Sequence, residues 1–353
     1  MLRDTFFYIK RTSKFFRETL RFLALLFGDY REKKGSKAGI RIALNGYSSG
    51  QQKDWFCRFV QELTGQQVAI SWYKPTIIFS SSFGSYWLLK ILLLVYKQPS
   101  IFFSEENLTT LKKYREYKSY LDGQPSLAMG FDYCFAENYR RFPLWLLYIF
   151  PPDFAAKASI SDIQEKLEQI EKQSLYPKTK FAAMVASHDG YACKKKVYGC
   201  LKNSSRSVIT KHVSSISFVH CPGKLLHNDD SLQDKFDNDK QAYLKQFFFN
   251  ICAENASVKG YVTEKIFQAI EGGTIPIYWG DENPEPNVLN HERVIFWEES
   301  RSENILETIE KLYLDEETRK KFLQQSVFTD CAANEIHNYF LQLRKDLAWL
   351  IIK

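Results

Sequence analysis

The stretch 247-FFFNICAENASVKGYVTEKIFQAIEGGTIPIYWG-280 decides how this chain is read. Phe247 to Cys252 is an apolar run with the look of a buried strand, stopped by Glu254 and Asn255. A polar loop with Gly260 follows, and Tyr261-Val262-Thr263-Glu264-Lys265 opens a helix. Val262, Ile266 and Ile270 recur at helical spacing and give it a buried face. Gly272 and Gly273 terminate it, and Thr274 to Trp279 reads as the next strand. Strand, polar loop, helix, glycine turn and strand make one unit of an α/β domain, and the polar residues gather where such units do chemistry.

Lys265 is the oddest residue of the stretch. A helix macrodipole is positive at its N-terminus, so a cation in the first turn costs roughly 0.3–1 kcal/mol. One reading has Lys265 solvated or paired with Glu264. The other places an anion there, a nucleotide diphosphate held between Lys265 and backbone amides with Glu264 accepting from ribose hydroxyls. On the second reading, Lys265→Ala weakens nucleotide binding while the fold persists.

Outward from this unit, strand and helix patterns alternate. Ile40–Leu44 alternates like a strand and Gly46 ends it; a helix runs near Asp54 to Leu63. Strands follow at Gln67–Trp72 and Thr76–Ser80, then a helix at Tyr86–Tyr96 and a strand at Ser100–Phe103. Between Pro152 and Pro177 lies a polar helix, with Ser161 and Gln164 resembling a capping box and Ile160, Ile163, Leu167 and Ile170 on one apolar line. A second alternation has strands at Phe181–Ala186, Ser215–His220, Phe247–Cys252, Thr274–Tyr278 and Arg293–Phe296. Residues 302–353 read as helices, the last carrying Ile336, Phe340, Leu343 and Leu347 on one face. Such alternation predicts parallel sheets covered on both faces. The expected organisation is a basic amphipathic segment (1–38), an N-terminal Rossmann-like domain (39–152), a connector helix (153–177), a nucleotide-binding domain (178–330) and a C-terminal helix (331–353).

Charge is unevenly placed. Residues 1–40 hold ten Lys or Arg and four Asp or Glu, so +6 of the net +7 sits there. A folded nucleic-acid-binding surface, which wants a basic patch across the fold, loses its support. Ile9, Phe16, Leu20, Leu23 and Phe27 share one helical face, and Lys10, Lys14, Arg17 and Arg21 line another. That is the pattern of an interfacial helix on an anionic membrane through residues 1–37, or of a helix packed on the protein's own surface. The apolar run Phe22–Phe27 falls short of the ~20 residues that span a bilayer. Seven Cys show no ligand-like spacing, and several (Cys57, Cys200, Cys252) sit in apolar patterns, as reduced thiols of a cytoplasmic protein do. The cluster Asp229-Asp230 with Asp237 and Asp239 reads as a solvated loop rather than one that weakly attracts a cation.

The quoted stretch resembles the signature of the α-1,3-fucosyltransferases, glycosyltransferase family ten: a Phe-rich strand, a Glu-Asn pair, Tyr-Val-Thr-Glu-Lys, and a Pro-containing strand ending in Gly. Bacterial members look closest, through the ending IPIYWG. 75-PTIIFSSSFG-84, 101-IFFSEEN-107, 127-LAMGFDY-133, 139-YRRFPLW-145 and 181-FAAMVAS-187 resemble further family segments, so that the likeness covers about Ile40 to Trp297. The resemblance implies a GT-B architecture, two Rossmann-like doubly wound domains facing a cleft. It also implies inverting transfer of L-fucose from GDP-fucose to an acceptor oligosaccharide, O3 of N-acetylglucosamine in a lactosamine-like unit.

By the same resemblance Glu106 is the general base. Glu264 and Lys265 hold the donor's ribose and phosphates, Tyr261 lies near the nucleoside, and Glu254 and Asn255 lie near the donor pocket. The family's diphosphate-binding Arg, four residues before a Tyr, falls on Lys194 before Tyr198, with Lys195 or Lys196 as the alternatives; a lysine lacks the bidentate fork of Arg. Spacing alone does not separate Glu105 from Glu106: on an extended strand they face opposite sides, and the family match decides for Glu106. No metal cofactor is required on this reading, with manganese or magnesium at most stimulatory. The alternatives are a GT-B transferase of another nucleotide sugar and a non-catalytic glycan-binding scaffold on a decayed transferase fold.

Overall fold

The computed structural model describes residues 2–32, 38–47, 50–108, 117, 119–189 and 206–352. The side chains of residues 2–11, Ile9 and Lys10 among them, and of 50–53 and 352 lie outside that description, as do Lys194 and Cys200. The chain divides into two compact units: residues 1–143, 150–157 and 339–353 form the first, and residues 144–149 and 158–338 the second.

The first unit opens with helix α1 (Leu2–Arg31). Its sheet has the order β2-β1-β3-β4-β5-β6, from β1 (Ile40–Asn45), β2 (Val68–Ile70), β3 (Ile77–Ser81), β4 (Ser100–Phe103), β5 (Leu127–Gly130) and β6 (Tyr139–Arg141). All its pairings are parallel. Such a sheet needs cover on both faces, and every residue of β3, β4 and β5 is buried. Helix α2 (Gly50–Thr64) supplies Trp55, Phe56 and Phe59, and α3 (Tyr86–Tyr96) supplies Leu88, Leu89, Ile91 and Leu92. The order reverses between β1 and β3, where β1 runs into Gly46 (φ +96°). A Cβ on Gly46 would lie 2.1 Å from the Gly84 nitrogen, so the two loops touch backbone to backbone and only Gly fits.

Helix α1 packs one face on this unit. Phe22 is buried against Tyr96, Phe15 meets Trp87 edge-on, and the Asp29 carboxylate accepts from the Trp72 amide at 2.5 Å. The inward face is thus not the stripe that looked apolar in sequence: Phe16, Leu20, Leu23 and Phe27 point outward.

The longer segment of the second unit begins with α4 (Ile160–Lys172). Its capping box is formed by Ser159 and Asp162, two residues before the predicted pair Ser161 and Gln164. Ile163, Leu167 and Ile170 are buried as the pattern required, while Ile160 is exposed in the first turn. The sheet has the order β11-β10-β9-β7-β8, from β7 (Lys180–Ala183), β8 (Val219–His220), β9 (Phe247–Ala253), β10 (Ile275–Trp279) and β11 (Ile295–Phe296). All four pairings are parallel. The strand expected over Ser215–His220 is only Val219–His220, because α5 (Arg206–Val213) ends in a turn that takes up residues 214–217.

The quoted stretch folds as β9, a loop, α6 (Glu264–Glu271) and β10. Tyr261 and Val262 lie before α6, and Thr263 is its N-cap. Val262, Ile266 and Ile270 are all buried. Phe267 on α6 stacks on Trp145 with ring centres 3.8 Å apart. The turn to β10 needs Gly273 at φ +70°, where a Cβ would collide with the Gln173 carbonyl. The chain closes with α7 (Ser302–Leu314), α8 (Glu316–Gln324) and α9 (Ala332–Ile352). Ile336, Phe340, Leu343 and Leu347 of α9 are buried as predicted. In the first unit, Phe340 packs on Phe142 and Phe150, and the Arg344 guanidinium donates to the Ala155 carbonyl. Two parallel Rossmann-like α/β units are the fold class expected from the sequence.

Candidate active site

β9 ends at Ala253, and Glu254 follows with its side chain wholly buried. Its backbone N–H donates to the Trp279 carbonyl at 2.8 Å, fixing it between the ends of β9 and β10. The carboxylate accepts from the Thr263 N–H at 2.8 Å and from the Thr263 hydroxyl at 2.7 Å. Thr263 is the N-cap of α6, yet its hydroxyl bonds no N–H of its own helix. Glu254 supplies the cap instead, from a neighbouring strand end, with its charge at the positive end of the macrodipole.

This arrangement explains Lys265. Its ammonium donates to Glu254 at 2.9 Å and to the Thr263 hydroxyl at 2.7 Å, with Glu264 at 3.6 Å. The principal partner is therefore Glu254, not solvent and not Glu264. Burial works against the charged ammonium, but Glu254 and Glu264 outweigh it and raise its pKa above the ordinary lysine value. Burial would likewise push the Glu264 carboxyl up; Lys265 and then Lys240 prevail and hold it below its usual value. Both groups carry charge at neutral pH.

Two further cations join them. Arg206, the first residue of α5, is buried. It donates from Nε to the Ala253 carbonyl (3.0 Å) and from its terminal nitrogens to the His188 carbonyl (2.8 Å) and Asn255 Oδ1 (2.8 Å). Three of its five N–H groups thus strap the chain leaving β7 to the end of β9. The sheet order reverses between those two strands, and doubly wound sheets bind ligands in the crevice outside the carboxyl ends at such a point. Lys240 donates to Gln268 Oε1 on α6 at 2.8 Å. Burial pulls its ammonium below the ordinary lysine value against Glu264, and Lys265 and Arg206 add to that. Arg206, Lys240 and Lys265 line one pocket with Val185, Ala186 and Asn250. Asn250 is buried, and its Oδ1 meets no hydrogen-bond partner among the described residues. Three cations against Glu254 and Glu264 leave a positive pocket at a helix N-terminus, suited to an anion.

Of the residues singled out in the sequence, Glu254, Asn255, Tyr261, Glu264 and Lys265 come together here. Asn255 bridges Arg206 and the Tyr261 hydroxyl, the latter at 3.5 Å, and Tyr261 is buried. The Gly260 N–H donates to Asp281 at 2.7 Å, closing the loop before α6. Lys194 lies outside the described residues. Arg206 and Lys240 were missed. Arg206 had a legible signal, a cation opening a helix just before the apolar Val208 and Ile209; Lys240 had none, since its ties are to α6.

Glu106 belongs to the first unit, three residues past the end of β4, which lies between β3 and β5. That is a carboxyl end inside a parallel sheet, as expected. The strand stops at Phe103, however, and residues 105 and 106 form a bend, so strand alternation does not set their directions. Glu105 is the more buried of the two; Glu106 is half-buried. Asp229 is also not the solvated loop charge expected. It pairs with His220 Nδ1 at 2.8 Å and accepts from the Tyr243 hydroxyl at 2.8 Å and the Ser231 N–H at 2.9 Å, while Asp230 is exposed. Among the described residues no group of three or more His, Cys, Asp or Glu is placed to hold a metal ion.

Residues 177–336 match the model for glycosyltransferase family 10 (fucosyltransferase), C-terminal part. An α-(1,3)-fucosyltransferase FucT of Helicobacter pylori is 43% identical over 82 residues, 22% of this chain and 17% of that protein. A GDP-fucose protein O-fucosyltransferase 3 of Xenopus laevis is 32% identical over 92 residues, 24% of this chain and 20% of that protein. The chain thus spans about a fifth of the curated relatives it matches. A solved α1,3-fucosyltransferase with GDP-fucose superposes with a TM-score of 0.54 at 19% identity, over 87% of this chain and 90% of that one, a likeness of fold. The strand–helix–strand unit that carries Glu254, Glu264 and Lys265 lies inside the matched region, residues 177–336, whose likeness is to glycosyltransferase family 10, the fucosyltransferases.

Proposed function

We propose that this chain is an α-1,3-fucosyltransferase that moves L-fucose from GDP-fucose to O3 of N-acetylglucosamine in a lactosamine-like acceptor, with inversion at the anomeric carbon. The observation that carries the reading is the positive pocket of Arg206, Lys240 and Lys265, set at a strand-order reversal inside the family domain.

In this reading the donor's diphosphate meets those cations and the first amides of α6. Lys265 stays aimed by Glu254, whose carboxylate is too buried to be drawn off by solvent. As the bond from C1 of fucose to the β-phosphate breaks, negative charge grows on the departing GDP, and preorganised cations stabilise it where water would have to reorganise. Glu264 accepts from the ribose hydroxyls, and Asn255 holds Arg206 and Tyr261 in place. Arg206 takes the diphosphate role first given to Lys194. Glu106 removes the acceptor hydroxyl's proton, a task worth about 10²–10⁴-fold for a positioned base. The side-chain cations offset the donor's charge, so manganese or magnesium is expected to stimulate at most.

A second acceptor class is favoured by one observation: the Xenopus relative is named as a protein O-fucosyltransferase. Ser or Thr hydroxyls of a polypeptide would then stand in for the sugar O3, with the donor site unchanged.

Transfer assays with GDP-fucose and N-acetyllactosamine, followed by linkage analysis, test the proposal. A 3-linked fucosyl product supports it. Transfer only to peptide hydroxyls supports the second acceptor class. Absence of transfer from GDP-fucose, with turnover of another nucleotide sugar or no thermal stabilisation by GDP, overturns both.

A further inference from the structure

Helix α1 (Leu2–Arg31) buries one face on the first unit and leaves another bare. Phe16, Leu20, Leu23, Phe27 and Tyr30 are each at least half exposed. Their spacing of 4, 3, 4 and 3 residues puts them on one stripe of the helix, about 21 Å long at 1.5 Å per residue. With aromatic side chains of about 150–250 Å² each, the bare stripe amounts to roughly 550 Å², the upper end of patches on soluble monomers.

The charges of the helix are sorted as well. Its two interior acids, Glu18 and Asp29, are turned inward and buried. Arg17 and Arg21 reach over Glu18 at 3.5 Å yet keep 70% and 59% of their side chains in solvent. The outward surface of the described helix therefore carries an apolar stripe flanked on one side by Arg17 and Arg21, with Lys14 exposed beyond them. No described helix is long and apolar enough to cross a membrane.

We infer that α1 lies in the plane of an anionic lipid surface. Phe16, Leu20, Leu23, Phe27 and Tyr30 sink into the boundary between headgroups and acyl chains, and Arg17 and Arg21 sit at the headgroups. Two points favour lipid over a second copy of this chain. A stable protein–protein interface buries about 800 Å² per partner, more than the stripe provides. Pairing two such helices would also bring their basic borders together, whereas anionic lipid complements them, by about 1 kcal/mol per basic residue near the surface. The inference uses none of the donor-site residues, and its test needs no turnover.

The full chain is spun with vesicles of phosphatidylcholine alone and with vesicles containing about 30% phosphatidylserine. Expected is association with the anionic vesicles at least tenfold above the neutral ones, weakened by salt. Leu20→Ser with Phe27→Ser should lower it by more than tenfold, with an unchanged melting temperature and unchanged stabilisation by GDP, since both side chains lie outside the core. No association with anionic vesicles, equal association with neutral ones, or insensitivity to the double substitution overturns the inference. So does concentration-dependent self-association that the same substitutions abolish while vesicle binding is absent. Loss of GDP stabilisation in the wild-type chain, by contrast, would bear on the donor site alone.

Discussion

Lys265→Met is the perturbation that separates binding from folding at the proposed donor site. It removes a cation 2.9 Å from a carboxylate with no solvent exposure. Breaking a buried pair by removing one partner costs about 3–5 kcal/mol. Here the low end applies, because Glu254 keeps the Thr263 N–H and hydroxyl and still faces the positive end of α6. A loss of about 3 kcal/mol, at roughly 2–4 °C per kcal/mol for a domain of this size, lowers the melting temperature by about 6–12 °C. The double variant Glu254→Gln/Lys265→Met removes both charges and keeps an acceptor for Thr263, so most of the loss should return, a coupling of about 2 kcal/mol. GDP affinity should not return, since the cation is still missing. Scanning fluorimetry and urea unfolding give the stabilities, and calorimetry gives GDP binding. Wild-type stability together with wild-type GDP affinity in Lys265→Met would refute both the pairing and the phosphate role. From the sequence the fold was expected to persist on substitution of Lys265; the contact with Glu254 adds the expectation of a lower melting temperature.

Arg206→Lys should weaken GDP binding by tenfold or more and lower stability by about 2 kcal/mol, because a lysine cannot bond the His188 carbonyl, the Ala253 carbonyl and Asn255 together; an unchanged Kd for GDP by calorimetry would count against its place in the pocket. Glu106→Gln should lower turnover by about 10²–10⁴-fold with GDP affinity intact, and a larger kinetic effect from Glu105→Gln would transfer the base role to that residue. For Asp229, burial works against the carboxylate, but bonds from Ser231, Tyr243 and His220 hold its pKa well below the ordinary value. The folded group is thus the stronger acid, so its contribution is present above the unfolded value of about 4 and fades as the pH falls below it. Urea midpoints measured from pH 7 to pH 3 should show a steeper acid decline in the wild type than in Asp229→Asn.

Much of the fold was legible because its signals are local. β9, α6 and β10 follow from an apolar run, a helical repeat and paired glycines within 34 residues. Fold class followed from alternation alone. What stayed hidden was tertiary. The cation in the first turn of α6 could be seen to need an explanation, but its partner Glu254 is eleven residues back on another element. Arg206 reaches β9 across 47 residues of sequence to Ala253, and no pattern in either segment announces that bond. The capping box of α4 shifted by two residues because Ser159 and Ser161 both suit an N-cap, and backbone geometry chooses between them. Strand alternation does not govern Glu105 and Glu106 because β4 ends at Phe103, where its apolar run ends, and both acids follow in a bend.

The first unit is discontinuous along the chain, and that has a consequence for its birth on the ribosome. Phe340, Leu343 and Leu347, all buried, belong to a core whose other members precede residue 158. Synthesis at about 5–20 residues per second leaves roughly 10–40 s between Pro143 and the first of them. Domains commonly fold in the order they emerge; here the earlier one must wait, its hydrophobic layer open, until residues 339–353 have been made. Chains released before Tyr339 should therefore recruit chaperones and yield to protease in their N-terminal half, while residues 158–338 resist.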